Sequence, residues 1–162
     1  MKVWSRLKTM NLSQLLKLAK VFIQRPQYIN LTLKASRKAM TIASREYGKK
    51  HYGNNPANAF RHALWVTLIA QGVYRKKKDL AAAKNWAKKV TDLHEDIAVN
   101  KPLERAMDLH NNKIGLLYFD AIFDKNEQET VDFLKKITEK AQKIKKPEDT
   151  KNHPKEFVFI DD

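Results

Sequence analysis

Three histidines in this sequence stand beside carboxyl, amide or guanidinium side chains, a combination that can bind a metal ion or transfer protons. His62 directly follows Arg61, and two later segments, 91–96 (TDLHED) and 107–112 (MDLHNN), each contain Asp-Leu-His. Neutral imidazole with carboxylate is a ligand set for zinc, manganese or iron. The same groups can act as general base and acid, while a guanidinium can hold an oxyanion or a phosphate.

These groups require a scaffold that buries them, and residues 56–74 (PANAFRHALWVTLIAQGVY) supply a helix that is apolar on nearly every side. Asn58, Arg61 and His62 stand at i, i+3 and i+4 in it and form a single polar stripe. Burying a guanidinium and an imidazole together is costly unless anions or hydrogen bonds compensate them. We therefore expect acidic partners for Arg61 and His62.

The other two histidines are predicted to point inward from later helices. His94 shares a helical face with Ala83, Ala87, Val90 and Ile97, and His110 shares one with Leu103, Ala106 and Met107. Residues two apart on a helix face roughly 200° apart, so the Asp and the His of Asp-Leu-His cannot both point inward unless the helix breaks. In continuous helices, Asp92 and Asp108 would point outward or support a histidine-rich ligand set. His51 and His153 lie in polar loop sequence, and no helical pattern around them predicts that they point inward.

The predicted metal ligands are His62, His94, Asp108 and His110, and the predicted catalytic residues are Arg61, His62, Glu95 and Asn111. If an ion is bound, it would be zinc, manganese or iron, because these metals accept imidazole and carboxylate ligands. The absence of Cys excludes a thiolate site, a cysteine nucleophile and a disulfide. The alternative is a purely structural network in which Arg61, Glu95 and Asp108 join the helices and the histidines satisfy backbone groups.

The periodicity of the whole chain predicts an all-α fold, a single bundle of six or seven helices around the helix at about 56–74, with a short extended C-terminal tail. Residues 1–146 form one predicted helical domain, and 147–162 form the tail. Within the domain we distinguish a basic N-terminal helical pair (1–48), a motif-bearing core (49–123) and a C-terminal helix (126–146).

The first predicted helix is amphipathic. Asn11 and Gln14 form a capping box, and one face carries Leu12, Leu15, Leu16, Ala19, Phe22 and Ile23. The opposite face carries Lys17, Lys20 and Arg25. We expect the apolar face to pack on the domain, although the pattern also fits an interfacial membrane helix or a partner-docking helix.

Positive charge is concentrated at the start of the chain. Residues 1–50 contain twelve Lys or Arg and one acid, and the chain carries a formal net charge of +14. This favours an anionic substrate or surface, such as nucleic acid, an anionic membrane or an acidic cognate protein, or else serves solubility. Because we find neither a bilayer-spanning stretch nor a secretory signal peptide, we expect a cytoplasmic protein or one exported without a classical signal peptide.

Three blocks carry a family resemblance: NNPANAFRHALW at 54–65, DLHED at 92–96 and AMDLHNNKIG at 106–115. Together they resemble a functionally uncharacterised bacterial domain family with the pattern Asn or Asp, AFRHxxW, then His-Glu, then MDxHNN. The resemblance covers roughly residues 47–119 and implies an all-helical domain. It also implies that the family's shared polar residues are Arg61, His62, His94, Glu95, Asp108, His110 and Asn111.

The layout is also similar to that of the HD-domain phosphohydrolases, in which a His, a later His-Asp pair and a distant Asp bind metal. His62, His94 with Glu95, and Asp108 stand in a similar order. Glu95 replaces the Asp of the pair, and Asp108 follows sooner than that family's last ligand, so the likeness is one of layout and not of membership.

The leading hypothesis is a metal-dependent hydrolase of a phosphoester or another anionic substrate. One alternative is an antibacterial effector, or toxin, domain that uses the same centre, since related domains sometimes occur as toxin-like modules. Another is a non-enzymatic basic helical module that binds lipid, nucleic acid or a protein partner.

Overall fold

Six α-helices account for most of residues 11–161, the part of the chain that this computed structural model describes. They are α1 (Leu12–Gln24), α2 (Ile29–Tyr47), α3 (Pro56–Lys77), α4 (Leu80–Ile97), α5 (Pro102–Leu117) and α6 (Glu127–Thr138), with short 3₁₀ segments between some of them. The predicted all-α fold is confirmed.

Polar caps set the helix ends where the sequence predicts them. Asn11 and Gln14 form the capping box of α1, and Asp79 accepts a hydrogen bond from the backbone of α4. Asn126 begins α6 with a second capping box. Gly48 ends α2 with φ of 57°, a left-handed conformation that favours glycine.

The central element is α3, which contacts α2, α4, α5 and α6. It approaches α5 closely at Gly115, where an added Cβ would lie 2.7 Å from Val66 Cγ1 and 2.9 Å from Ala63 Cα. Only glycine fits there, because the backbone atoms of Ala63 cannot move aside as a flexible side chain can. This close approach brings the polar stripe of α3 against α5.

The C-terminal segment docks on the helices, as predicted, but only Val158–Phe159 forms a strand, and Pro147–Asn152 forms a 3₁₀ helix. Two short strands, β1 (Gln142–Lys143) and β2 (Val158–Phe159), pair in parallel. Phe157 and Val158 are fully buried, and the segment that includes Pro147–Asn152 and β2 contacts α5. The segment therefore covers a flank of α5 that a tail without contacts would leave in solvent.

Helix α1 packs differently from the prediction. Its buried contact is made by Val21 and by Phe22, whose ring lies edge-on to Trp86 with the centroids 5.9 Å apart. Most of the predicted apolar face is exposed instead, including Leu12, Leu16 and Ile23. The prediction was right for Phe22 and wrong for most of the other residues, because α1 also has Val21 on a second side and turns the edge between Phe22 and Val21 toward the bundle.

Among the described residues, none of the helices combines the length and the apolar character that crossing a membrane requires.

Candidate metal centre

His62 from α3, Glu95 from α4 and Asp108 from α5 meet inside the bundle. Each offers one ligand atom within 4.8 Å of the other two, and all three side chains are buried. His62 Nε2 lies 3.2 Å from Asp108 Oδ1, and His62 Nδ1 lies 3.8 Å from Glu95 Oε1. The acidic partners expected for the polar stripe of α3 are therefore a glutamate and an aspartate from the two helices that flank it.

Several polar atoms of this group have no hydrogen-bond partner among the described residues. They are His62 Nδ1, Glu95 Oε1, Asp108 Oδ1 and both amide atoms of Asn112. Asn112 stands one helical turn after Asp108 and lies against His62 and Glu95. Leaving one buried polar atom unsatisfied costs about 1–3 kcal/mol, so several in one place mark a site that an ion or water would complete.

The other carboxylate oxygens are held by Asn100, in the loop between α4 and α5. Its Nδ2 lies 3.4 Å from Glu95 Oε2 and 3.3 Å from Asp108 Oδ2. One amide thus donates to both carboxylates from the same side. This arrangement leaves Oε1 and Oδ1 directed toward His62.

The protonation of the group follows from its burial. Burial, with a smaller effect from Asp108, raises the pKa of Glu95 to about 8, and burial raises the pKa of Asp108 to about 7. Burial and the nearby Arg61 guanidinium hold the pKa of His62 well below its usual range. His62 is therefore neutral at pH 7, as a metal ligand must be, while Glu95 is largely protonated and Asp108 is close to half protonated.

Arg61 borders the group and is half-buried. Its Nη1 donates to the backbone carbonyl of His51 at 2.7 Å, and its Nη2 lies 2.9 Å from His62 Nε2.

His51 is fully buried, and its Nε2 lies 3.0 Å from Ser44 Oγ, so the sequence-based view of His51 as an uninformative loop residue was wrong. The short 3₁₀ helix Gly48–Tyr52 places His51 there by folding back against α3.

His94 lies beside the group and not within it. It is half-buried, and its ring stacks edge-on against Trp65 with centroids 5.0 Å apart. Glu95 takes the inward position, since the buried face of α4 runs through Ala87, Thr91 and Glu95. The prediction that His94 points inward from α4 was therefore displaced by one residue from the side chain that does, Glu95. Asp92 points outward, as expected for a continuous helix, and pairs with Lys88.

On α5 the structure separates Asp108 from His110. The helix is continuous, yet Asp108 turns toward His62 while His110 Nε2 lies 2.9 Å from the carbonyl oxygen of Glu156. The expectation that Asp108 would point outward on a continuous helix was wrong, because the C-terminal segment buries the opposite flank of α5. The structure does not bring His110 to the other predicted ligands.

Asn111 is also engaged by the C-terminal segment. Its Nδ2 donates to the carbonyl of Val158, and its Oδ1 accepts from the N–H of Val158, each at 2.9 Å. Both polar ends of the side chain are thereby used, so we assign Asn111 to hold β2 in place and not to catalysis. The motif 107–112 divides into Asp108 and Asn112, which face His62 and Glu95, and His110 and Asn111, which face the tail.

The arrangement suits a divalent cation. A cation with ligands at about 2.0–2.2 Å needs ligand atoms about 3–4 Å from one another, and small side-chain rotations would provide this. One imidazole and two carboxylates suit zinc, manganese or iron(II). Sequence reasoning missed Asn100, which lies in a loop of no marked pattern, and gave no role to Asn112, although its i+4 spacing from Asp108 could have indicated one.

The surroundings limit access to the group. Neither of two surface grooves, one between α2 and α3 and the other beside α6, includes His62, Glu95 or Asp108. Arg61, Trp65, His94 and Asn100 are half-buried neighbours of the group. A molecule approaching from the side of Arg61, Trp65 and His94 would meet a guanidinium, an indole and an imidazole before it met the carboxylates.

No curated protein and no solved structure matches this chain. One family model does, over residues 19–142, which include α2 to α6, all three members of the buried group, Asn100 and Asn112. The chain therefore belongs to the family described as domain of unknown function DUF6973.

Proposed function

We propose that His62, Glu95 and Asp108 hold a divalent cation and that the protein is a metal-dependent hydrolase of a phosphoester or another anionic substrate. The observation that carries the proposal is the convergence of one buried ligand atom from each of three helices, all without hydrogen-bond partners among the described residues.

The charges support a cation at this place. Two carboxylates that are both ionised in a buried site repel each other and cost desolvation energy, and the raised pKa values of Glu95 and Asp108 record that cost. A bound divalent cation would offset it. Such an ion supplies Lewis-acid polarisation of a phosphoryl or carbonyl oxygen and lowers the pKa of a bound water.

The residues of the chain have separate tasks in this proposal. Asn100 orients both carboxylates by donating to their outer oxygens. Arg61 lies at the solvent side of His62 and would hold the anionic part of the substrate. Trp65 and His94 would bound the approach path, with His94 close enough to solvent to exchange a proton with a leaving group.

Metal content tests whether the protein binds a divalent cation at this group. The protein would be purified without added metal or affinity-tag histidines and analysed by mass spectrometry of the elements, beside His62→Ala, Glu95→Gln and the control His153→Ala. We expect roughly one ion per chain in the wild type and the control, and a large loss in the two site variants. Equal metal content near zero in all four proteins, unchanged after dialysis against zinc, manganese or iron(II), would overturn the metal centre.

Hydrolysis of a chromogenic phosphodiester tests the proposed hydrolase activity. We expect metal-dependent turnover in the wild type, a raised KM in Arg61→Met because the anion contact is lost, and no turnover in Glu95→Gln. If the protein binds metal but hydrolyses neither phosphomonoesters nor phosphodiesters, the metal centre would be supported and the phosphoesterase activity would be contradicted.

A further inference from the structure

Most of the large apolar side chains that the described residues leave exposed lie in one region, on α1 and just after α4. They are Leu12 (72% exposed), Leu15 (37%), Leu16 (61%), Ile23 (76%) and Val99 (99%). Gln14 Nε2 donates to the carbonyl of Ile97 at 3.1 Å, which joins the start of α1 to the end of α4 and brings Val99 to the same end of the molecule. Exposed apolar patches of this kind mark contact surfaces.

The exposed residues of α1 form a continuous stripe. Leu12, Leu16, Ala19 and Ile23 follow one another at intervals of four, three and four residues, which places them on one face of the helix. The inward face is formed by Val21 and Phe22, with Phe22 against Trp86. The stripe is therefore additional to the residues that attach α1 to the bundle, and core packing does not account for it.

The exposed charge on α1 has one sign. Lys17, Lys20 and Arg25 are exposed, and residues 11–45 contain no acidic side chain. Lys89 from α4 adds a further ammonium group, which lies 2.5 Å from Gln24 Oε1 at the end of α1. A surface that covers this stripe must accept leucine side chains and also offer negative charge.

We propose that α1 is an interfacial helix that docks the protein on an anionic lipid surface. Leu12, Leu16 and Ile23 would enter the boundary between headgroups and acyl chains, and the cations would contact the headgroups. A symmetric dimer through the same stripe is disfavoured, because its two-fold axis would place the cations of one copy against those of the other. This interaction is independent of the metal centre.

Flotation with vesicles tests the proposal. The full-length protein would be mixed with phosphatidylcholine vesicles, with and without phosphatidylglycerol. We expect flotation with the anionic vesicles and weak binding to the neutral ones. The double variant Lys17→Gln, Lys20→Gln should partition roughly 30-fold more weakly, since each cation near an anionic surface contributes about 1 kcal/mol.

Apolar variants separate the lipid from other partners. Leu16→Gln with Ile23→Gln replaces exposed side chains, so the fold should remain, which circular dichroism would verify, and flotation should be lost. Leu117→Gln, exposed at the end of α5, is the matched control and should float like the wild type, as should His62→Ala. Equal binding to neutral vesicles, no flotation at all, or a dimer in light scattering that Leu16→Gln with Ile23→Gln dissociates would each overturn the proposal, the last in favour of a second copy of the chain.

Discussion

Asp108 and His110 are both buried on one uninterrupted helix, although they stand two residues apart and point to different flanks. Asp108 Oδ1 lies 3.2 Å from His62 Nε2, and His110 Nε2 lies 2.9 Å from the carbonyl of Glu156. This is compatible with a continuous helix because α5 is covered by α3 and α4 on one side and by the C-terminal segment on the other. The two halves of one short motif therefore have different tasks.

Substitution of the neighbouring residues Asn111 and Asn112 tests whether one half of the motif holds the C-terminal segment and the other half faces His62. Asn111→Ala leaves the N–H and the carbonyl of Val158 without their partners, and we expect it to lower the free energy of unfolding by about 2–4 kcal/mol. Asn112→Ala removes an amide whose atoms have no partners and should cost less than about 1 kcal/mol. Urea unfolding of both variants measures the difference, and equal losses would contradict the division.

Stability should depend on pH through the two buried carboxyls. Both have pKa values that folding raises, Glu95 from 4.5 to about 8 and Asp108 from 3.8 to about 7. The two carboxyls therefore hold more protons in the folded protein than in the unfolded chain, whereas His51, His62 and His110, whose pKa values burial lowers, hold fewer below about pH 6.5. In the absence of metal the free energy of unfolding should therefore fall as pH rises from about pH 7 to pH 8, by about 1 kcal/mol.

Glu95→Gln removes one of the titrating groups without changing the shape of the side chain. We expect this variant to be more stable than the wild type at pH 8 and to show a flatter profile in chemical unfolding. Asp96→Asn is the matched control on the same helix, since Asp96 is exposed and pairs with Arg105, and its profile should follow the wild type. A Glu95→Gln profile as steep as that of the wild type would mean that Glu95 does not hold a proton in the fold.

Metal addition should stabilise the fold more strongly at high pH than at low pH. Protons and a divalent cation compete for Glu95 and Asp108, so the gain in melting temperature on adding manganese or zinc should be larger at pH 8.5 than at pH 6. His62 does not oppose this trend, because its pKa lies well below its usual range. A gain that is independent of pH, or that persists in Glu95→Gln, would place the ion elsewhere.

The close approach of α3 and α5 gives a test of how the site is positioned. Gly115→Ala would bring a methyl group against the backbone of Ala63, and we expect a loss of about 1–3 kcal/mol together with weaker metal binding, because Asp108 and His62 move apart. Gly72→Ala meets only the half-buried side chain of Leu31, so it should cost less and leave metal binding intact. Thermal unfolding and metal titration of the two variants measure both effects.

Local sequence patterns predicted where the helices begin, although the C-terminal helix predicted over 126–146 ends at Thr138 and is followed by the strand Gln142–Lys143. The capping residues Asn11, Asp79 and Asn126 act within a few positions of themselves, so their effect is visible in the sequence. The burial of His62 followed from the apolar residues around it. Which residue of α4 faces inward did not follow, because Glu95 and His94 lie on adjacent edges of one stripe and only the rotation of α4 against α3 selects between them.

The contacts of Asn100 and of the C-terminal segment could not be predicted from the sequence. A single asparagine in a loop carries no periodic signal, and its contact with both carboxylates depends on where α4 ends and α5 begins. Likewise, the roles of His110 and Asn111 depend on residues about 46 positions later in the chain, which lie against them only after folding.

The sequence alone determined the helices, where they begin, the buried central helix and the set of polar side chains that could form a site, since each depends on neighbours within about one or two helical turns. The tertiary structure decided which of those side chains meet: His62, Glu95 and Asp108 in the interior, His110 and Asn111 at the tail, and the leucines of α1 at the surface. The reason is that the rotation of a packed helix about its axis, which selects the residues that face inward, is set by contacts with distant parts of the chain.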